Sequence, residues 1–258
     1  MPIIYLPYHL DEHLAALDLP LPAGIEATEP VVELPREDVW ARLAGLYEAV
    51  ARVVEEEARS GTVATVVSGD CTISIGMAAG LQRAGIDPAI VWFDAHGDLQ
   101  TLETTTSGYL GGMALRLLGG YRSDLIAGPL GLSPPAEDRV VLVDARDLDQ
   151  AEADYLASSA VRRLALGEVS EETLPAGPLL VNFDLDIVDP AELPGLRYPA
   201  AGGPAPAALL RAAETVFATG RVAALNVACT WDPGHPEADE VRRELIAGAL
   251  AALRAGGA

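Results

Sequence analysis

Five short runs rich in apolar and β-branched residues, Thr62 to Val67, Ala89 to Phe93, Arg139 to Val143, Leu179 to Phe183 and Val222 to Val227, recur along the chain with long intervals between them. Runs that are apolar at nearly every position are buried on both faces, which calls for a parallel sheet covered by helices on each side. The intervals supply the helices: Asp38 to Ala58, Ile73 to Ala84, Ala205 to Ala218 and Glu237 to Arg254 carry apolar residues three and four apart. The pattern predicts an α/β chain in three layers, a mostly parallel sheet with helices on both faces. Gly- and Pro-rich stretches at Gly128 to Ala136 and Pro199 to Pro206 read as excursions within that unit. A length of 258 residues fits one domain over 1–258 better than two small ones.

Half of the residues are hydrophobic, but Gly and Pro interrupt the apolar runs before any reaches the length of a membrane span. The formal charge of −21 repels phosphate backbones and anionic bilayers, so neither nucleic acid nor a membrane is an expected partner; a small molecule or a metal ion is. No basic leader precedes the first acids, Asp11 and Glu12, and the cysteines are only Cys71 and Cys229. The expectation is a cytoplasmic protein without a disulfide framework.

Ligands in open α/β sheets gather beyond the carboxyl ends of the strands. Here those ends are acidic: Val67-Ser68-Gly69-Asp70-Cys71 closes one run, Phe93-Asp94-Ala95-His96-Gly97-Asp98 the next, and Phe183-Asp184-Leu185-Asp186 a third. A single Asp at such a place usually caps a helix or ends a strand in solvent. An Asp-x-His-x-Asp string and an Asp-x-Asp string on one sheet edge are another matter, because carboxylates crowded together repel unless a cation lies among them. Carboxylate plus imidazole suits Mn²⁺ or a similar divalent ion, which makes Asp94, His96, Asp98, Asp184 and Asp186 candidate ligands.

These three blocks, with Asp189-Pro190 behind the last, resemble the signatures of the arginase and agmatinase family of ureohydrolases over nearly the whole chain. The resemblance implies two Mn²⁺ per chain, with Asp94 and Asp184 bridging them, Asp98 and Cys71 completing one ion, and His96 and Asp186 the other. It implies a bridging hydroxide that attacks a guanidine carbon. It also matches Thr105 and Ser107 to positions that take a substrate α-carboxylate, and Asp147, Asp149 and Glu152 to positions that meet its α-amino group. On their own those residues would read as a polar turn and an acidic helix start. A guanidino amino acid is the expected substrate. The family's associating C-terminal extension has no counterpart after Ala258, so a monomer is expected.

Three departures narrow the expectation. Cys71 stands where the family has a metal-binding His, so one ion would receive a thiolate; sulfur leans toward Zn²⁺ or Fe²⁺ and the oxygens toward Mn²⁺, and the resemblance favours Mn²⁺. Gly111 stands where arginases have a proton-shuttling His, and the remaining histidines, His9, His13 and His235, belong to no matched motif and read as surface residues. Asn226 aligns with the acid that pairs with the guanidinium. A substrate less basic than arginine fits these losses, and the pattern is most similar to family members of D-cycloserine biosynthesis that hydrolyse Nω-hydroxy-L-arginine to hydroxyurea and L-ornithine. Asp98 or a metal-bound water would then pass a proton to the departing amine. The alternatives are an arginase, agmatinase or other guanidino-acid hydrolase, and a metal-binding protein without catalysis.

Overall fold

The computed structural model describes residues 3–14, 20–228, 231 and 235–256. Eight strands form one sheet: β1 (Ile3–Leu6), β2 (Ala27–Thr28), β3 (Ala64–Ser68), β4 (Ala89–His96), β5 (Val140–Asp147), β6 (Arg162–Leu164), β7 (Leu179–Asp184) and β8 (Val222–Ala228). Their spatial order is β2-β1-β3-β8-β7-β4-β5-β6, and each pairing is parallel. The fold is thus α/β in three layers, as the alternating pattern predicts. Successive side chains divide between the faces with the strand period of two. On β4, Ile90 and Trp92 join one apolar cluster, with Leu46, Val50 and Met77, while Val91 and Phe93 join the other, with Leu209, Phe217 and Leu250. Trp92 and Phe93 are wholly buried, each stabilising the fold by about 1.5 to 3 kcal/mol or more.

The first face is covered by α1 (Val39–Arg59), α2 (Ile73–Arg83) and α3 (Gln150–Ser158), the second by α4 (Pro206–Phe217) and α5 (Asp239–Gly256). Asp38 caps α1 by accepting from Trp40 N at 3.0 Å and Ala41 N at 3.1 Å, a contribution of about 1 kcal/mol. Helices α1 and α2 pack unusually close, because α2 turns Gly76 and Gly80 toward its neighbour. A Cβ on Gly76 would lie 2.6 Å from Tyr47 O, and one on Gly80 would lie 2.5 Å from Ala51 O. This contact seats the loop at 69–72, which ends β3 and leads into α2, against the sheet edge.

The strand ends differ from the sequence pattern in an instructive direction. The first run forms a strand at Ala64–Ser68 rather than Thr62 to Val67, β4 continues through Asp94 to His96, and β5 runs on to Asp147. Polar residues are accommodated in these strands because they sit at the carboxyl edge, where hydrophobicity no longer marks the strand. The N-terminal strands and α3 are additional to the pattern, being too short or too polar to give a periodic signal. The helix expected from Glu237 starts at Asp239, after a 3₁₀ turn at Pro236–Ala238. In the expected loop at Gly128 to Ala136, the first residues belong to a short helix, Ala127–Leu130. No helix among the described residues is long and apolar enough to cross a membrane.

Candidate metal and substrate site

A cavity of about 430 Å³ opens at the carboxyl ends of β3, β4 and β7. It is bordered by Cys71, Asp94, His96, Asp98, Asp184 and Asp186 at its floor, and by Thr105, Ser107, Asp147, Asp149 and Glu152 on its walls.

The two acidic strings reach the floor by the same local device. Asp94 Oδ1 accepts from His96 N at 2.7 Å, and Asp184 Oδ1 accepts from Asp186 N at 3.0 Å. Each carboxylate therefore folds back over the second residue after it, as short Asp side chains do readily, and brings alternate residues to one point. His96 Nδ1 then lies 3.1 Å from Asp186 Oδ2 and 3.3 Å from Asp94 Oδ1. Asp98 takes the left-handed conformation, φ +53°, which Asp tolerates better than most residues. There Cys71 Sγ donates to Asp98 Oδ2 at 3.1 Å.

Two triads result, Cys71 with Asp94 and Asp98, and Asp94 with His96 and Asp186; within each, one donor atom per residue lies within 4.8 Å of the others. Asp94 belongs to both. Asp184 completes neither triad at that spacing but faces both, as its electrostatics record. Burial first, and then the charges of Asp186 and Asp94, push its carboxyl well above the ordinary range. Burial and Asp94 do the same to Asp98, and burial and Asp186 raise Asp94 to about 6. The Cys71 thiol is pushed up by burial and by Asp98. For His96, burial works downward, but Asp186 and Asp94 outweigh it and push the imidazole up to about 12. No Lys or Arg is among the described residues bordering the cavity. This donor set, one thiol, one imidazole and four carboxylates that destabilise one another when ionised, fits a pair of divalent cations.

The walls are built differently. Thr105 Oγ1 accepts from Gly108 N at 3.1 Å and Ser107 Oγ from Tyr109 N at 3.2 Å, so the two hydroxyls hold their own turn while bordering the cavity. Opposite them, β5 carries a bulge: Asp94 pairs with Asp144, but His96 pairs with Asp147, two residues against three. The bulge turns Asp147 toward the cavity, where its carboxylate stands 3.9 Å from His96 Nε2. Glu152 is buried and largely committed to the backbone, accepting from Leu99 N at 2.9 Å and Asp149 N at 3.0 Å. Gly97 makes room for it, since a Cβ there would lie 2.7 Å from Glu152 Oε1. Glu152 therefore braces Asp149, whose Oδ2 also accepts from Gln100 Nε2 at 2.6 Å.

Asn226 is the expected site residue that the structure removes from the cavity. It is wholly buried on β8, in register with Asn182 on β7 and Val66 on β3. Its amide binds Ser68 Oγ at 2.9 Å, Asn182 Oδ1 at 3.1 Å and Ser74 Oγ at 3.2 Å. The sheet edge level with Asp184 is reached two residues later, at Ala228, so Asn226 packs beneath the floor. Cys229, the next residue, lies outside the described residues.

His9 also departs from expectation. It is 7% exposed, with Nδ1 3.3 Å from Asp70 Oδ2. Asp70 also accepts from Leu10 N at 2.8 Å and Thr72 N at 2.7 Å. Burial would raise this carboxyl, yet its bonds from His9 and Thr72 hold it below the usual range. His9 stacks on Tyr109, with ring centroids 5.7 Å apart and planes at 21°, and Tyr109 lies against Tyr198 at 4.8 Å. Both tyrosines border the cavity. The phenol of Tyr109 is pushed far above its ordinary value by burial and then by Asp70 and Cys71. Nothing in the local sequence marks this aromatic wall, which joins residues about a hundred positions apart.

Residues 18–250 match the Arginase family model. An arginase of Bacillus subtilis (strain 168) is 34% identical over 171 residues, 61% of this chain and 56% of that relative, so the matched segment spans little more than half of the relative's length. Arginase-1 of Rattus norvegicus is 30% identical over 242 residues, covering 85% of this chain and 72% of the relative. Among solved structures, arginase from Bacillus subtilis superposes with a TM-score of 0.76 at 25% identity, over 98% of this chain and 97% of that one.

Proposed function

This chain belongs to the arginase family, and on that premise we propose that it is a single-domain, binuclear-metal amidinohydrolase. Its substrate in this reading is Nω-hydroxy-L-arginine, whose guanidino C–N bond it cleaves to give hydroxyurea and L-ornithine. That reading groups it with the hydroxyarginine hydrolases of D-cycloserine biosynthesis.

The observation that carries the substrate is the shortage of imidazoles at the cavity. Among the described residues bordering it, His96 is the sole histidine, and its Nδ1 is turned to Asp94 and Asp186. Gly111 contributes no side chain that could move a proton. Arginine enters as a resonance-stabilised cation and must be helped to lose its amine. An N-hydroxyguanidine is far less basic, because its electron-withdrawing hydroxyl destabilises the cation; it reaches the neutral, more electrophilic form far more readily and brings its own ionisable hydroxyl. Asn226, being buried away from the cavity, lends this reading no support.

In the proposed site two Mn²⁺ would be held by Cys71, Asp94, Asp98, His96, Asp184 and Asp186. Bound there, the pair would supply an acidified water and positive charge against the developing tetrahedral carbon. Asp98 holds the proton taken from the attacking water and returns it to the departing ornithine amine. Thr105 and Ser107 take the α-carboxylate, and Asp147 and Asp149 the α-amino group, with Glu152 keeping Asp149 in place. Both ends of an amino acid are thereby fixed while the far end reaches the floor.

The second reading, hydrolysis of L-arginine itself, is favoured by the named activity of the sequence relatives. Turnover of both compounds by metal-loaded protein, with hydroxyurea and urea quantified, decides between them. We expect kcat/KM for hydroxyarginine to exceed that for arginine by about tenfold or more, roughly 1.4 kcal/mol. Equal or faster hydrolysis of arginine overturns the substrate. Two equivalents of bound metal with no turnover of either would mark a binding protein instead.

A further inference from the structure

Gly111 leaves a space at the cavity wall that another residue fills. A Cβ built on Gly111 would fall on Cζ and Oη of Tyr109, so the phenol occupies the volume that a side chain at 111 would claim. The ring is held there from both sides. His9, fixed by Asp70, stacks beneath it, and Tyr198, 38% exposed at the mouth, leans on it with ring centroids 4.8 Å apart. Asp70 directly precedes Cys71 in the chain, which ties this wall to the same loop that carries part of the floor. A phenol oxygen has two lone pairs and one proton. Bordering the cavity, the Tyr109 hydroxyl can offer those lone pairs to a donor inside it.

From this geometry we infer that Tyr109 is a specificity-determining residue, its hydroxyl accepting a hydrogen bond from the N-hydroxyl of the substrate and so selecting a hydroxylated guanidine over a plain one. The inference rests on the proposed hydrolysis and adds to it the residue that reads the extra oxygen. A site shaped to pair a substrate hydroxyl discriminates strongly against an analogue that lacks it, because a buried polar group is left without a partner. Gly111 is then required less for its backbone than for the room it yields.

Wild type, Tyr109→Phe, Gly111→Ala and the double variant, all loaded with Mn²⁺, provide the test. Steady-state kinetics would be measured on Nω-hydroxy-L-arginine and L-arginine, with Kd for both and for L-ornithine by calorimetry. Tyr109→Phe keeps the ring between His9 and Tyr198. It should lower kcat/KM for hydroxyarginine by about ten- to a hundredfold while leaving that for arginine, and the Kd of ornithine, within about twofold. Gly111→Ala, which would drive the phenol from its place, should reproduce the loss, and the double variant should add little to it. Equal losses on both substrates in Tyr109→Phe, or none, overturn the inference. If the wild type hydrolyses neither compound, the proposed reaction fails separately. Tyr109 is then judged by binding: selective weakening of hydroxyarginine in Tyr109→Phe upholds the inference, and an unchanged ratio of the two Kd values overturns it.

Discussion

At the floor of the cavity Asp94, Asp98 and Asp184 are almost entirely buried, and burial together with neighbouring carboxylates, Asp186 among them, raises the pKa of each, whereas on the walls Ser107 is exposed and Thr105 half-buried, each spending its hydroxyl on its own turn. The floor is therefore a region that folding alone leaves uncomfortable, and the walls a region that folding already satisfies. Groups that destabilise the metal-free fold must be held by the packing of the sheet edge around them, and they gain most when cations arrive. Groups satisfied by their own loop can bind a substrate without being needed for the fold.

The severest test of that contrast is Asp94→Asn, which removes a charge from both triads at once. Metal content should fall at both positions and kcat by about three orders of magnitude, read by elemental analysis and steady-state kinetics. Retention of both metals would break the assignment of Asp94 as the shared group.

A pH titration of metal-free protein should separate the two regions next. The folded-state pKa of Asp94, about 6, lies above its ordinary value of 3.8. Its contribution is thus fully present below 3.8 and is lost as pH rises through about 6, a fall on the order of 1 to 3 kcal/mol. Differential scanning calorimetry should show the metal-free melting temperature dropping across this window and Mn²⁺ abolishing the drop. An unchanged slope with Mn²⁺ would place the cation elsewhere.

Within the floor, Cys71→Ser should weaken one metal position by roughly ten- to a hundredfold and spare the other. Stepwise metal titration distinguishes this from unaltered binding at both, the result expected if Cys71 is merely packed in the core. On the wall, Ser107→Ala should raise KM by a few-fold, about 1 kcal/mol, without moving the melting temperature. A lowered melting temperature would show that the turn carries more of the fold than its exposure suggests.

Much of this arrangement was legible along the chain. The alternation of apolar runs and helical stretches is a local signal, and so is the placing of Asp94, His96 and Asp98, or Asp184 and Asp186, two positions apart beyond such a run. Strand geometry with a period of two, together with the tendency of Asp to fold over the following N–H groups, converts that spacing directly into a cluster. The chemistry of the floor could therefore be read from sequence by its residue types.

Other features were decided only when distant segments met. Asn226 aligns with a site position, yet the register of β8 against β7 puts it beneath the floor, bound to Ser68, Ser74 and Asn182. His9 carries no motif, and becomes buried because the chain leading from β1 passes Asp70. Tyr109 stands within the loop that holds Thr105 and Ser107, but its place over Gly111 depends on the rings of His9 and Tyr198 on either side. Local spacing determines which donors share a sheet edge, because the backbone repeat is short and fixed. Which side chains wall the cavity above them depends on packing between residues far apart in sequence, and no local repeat encodes it.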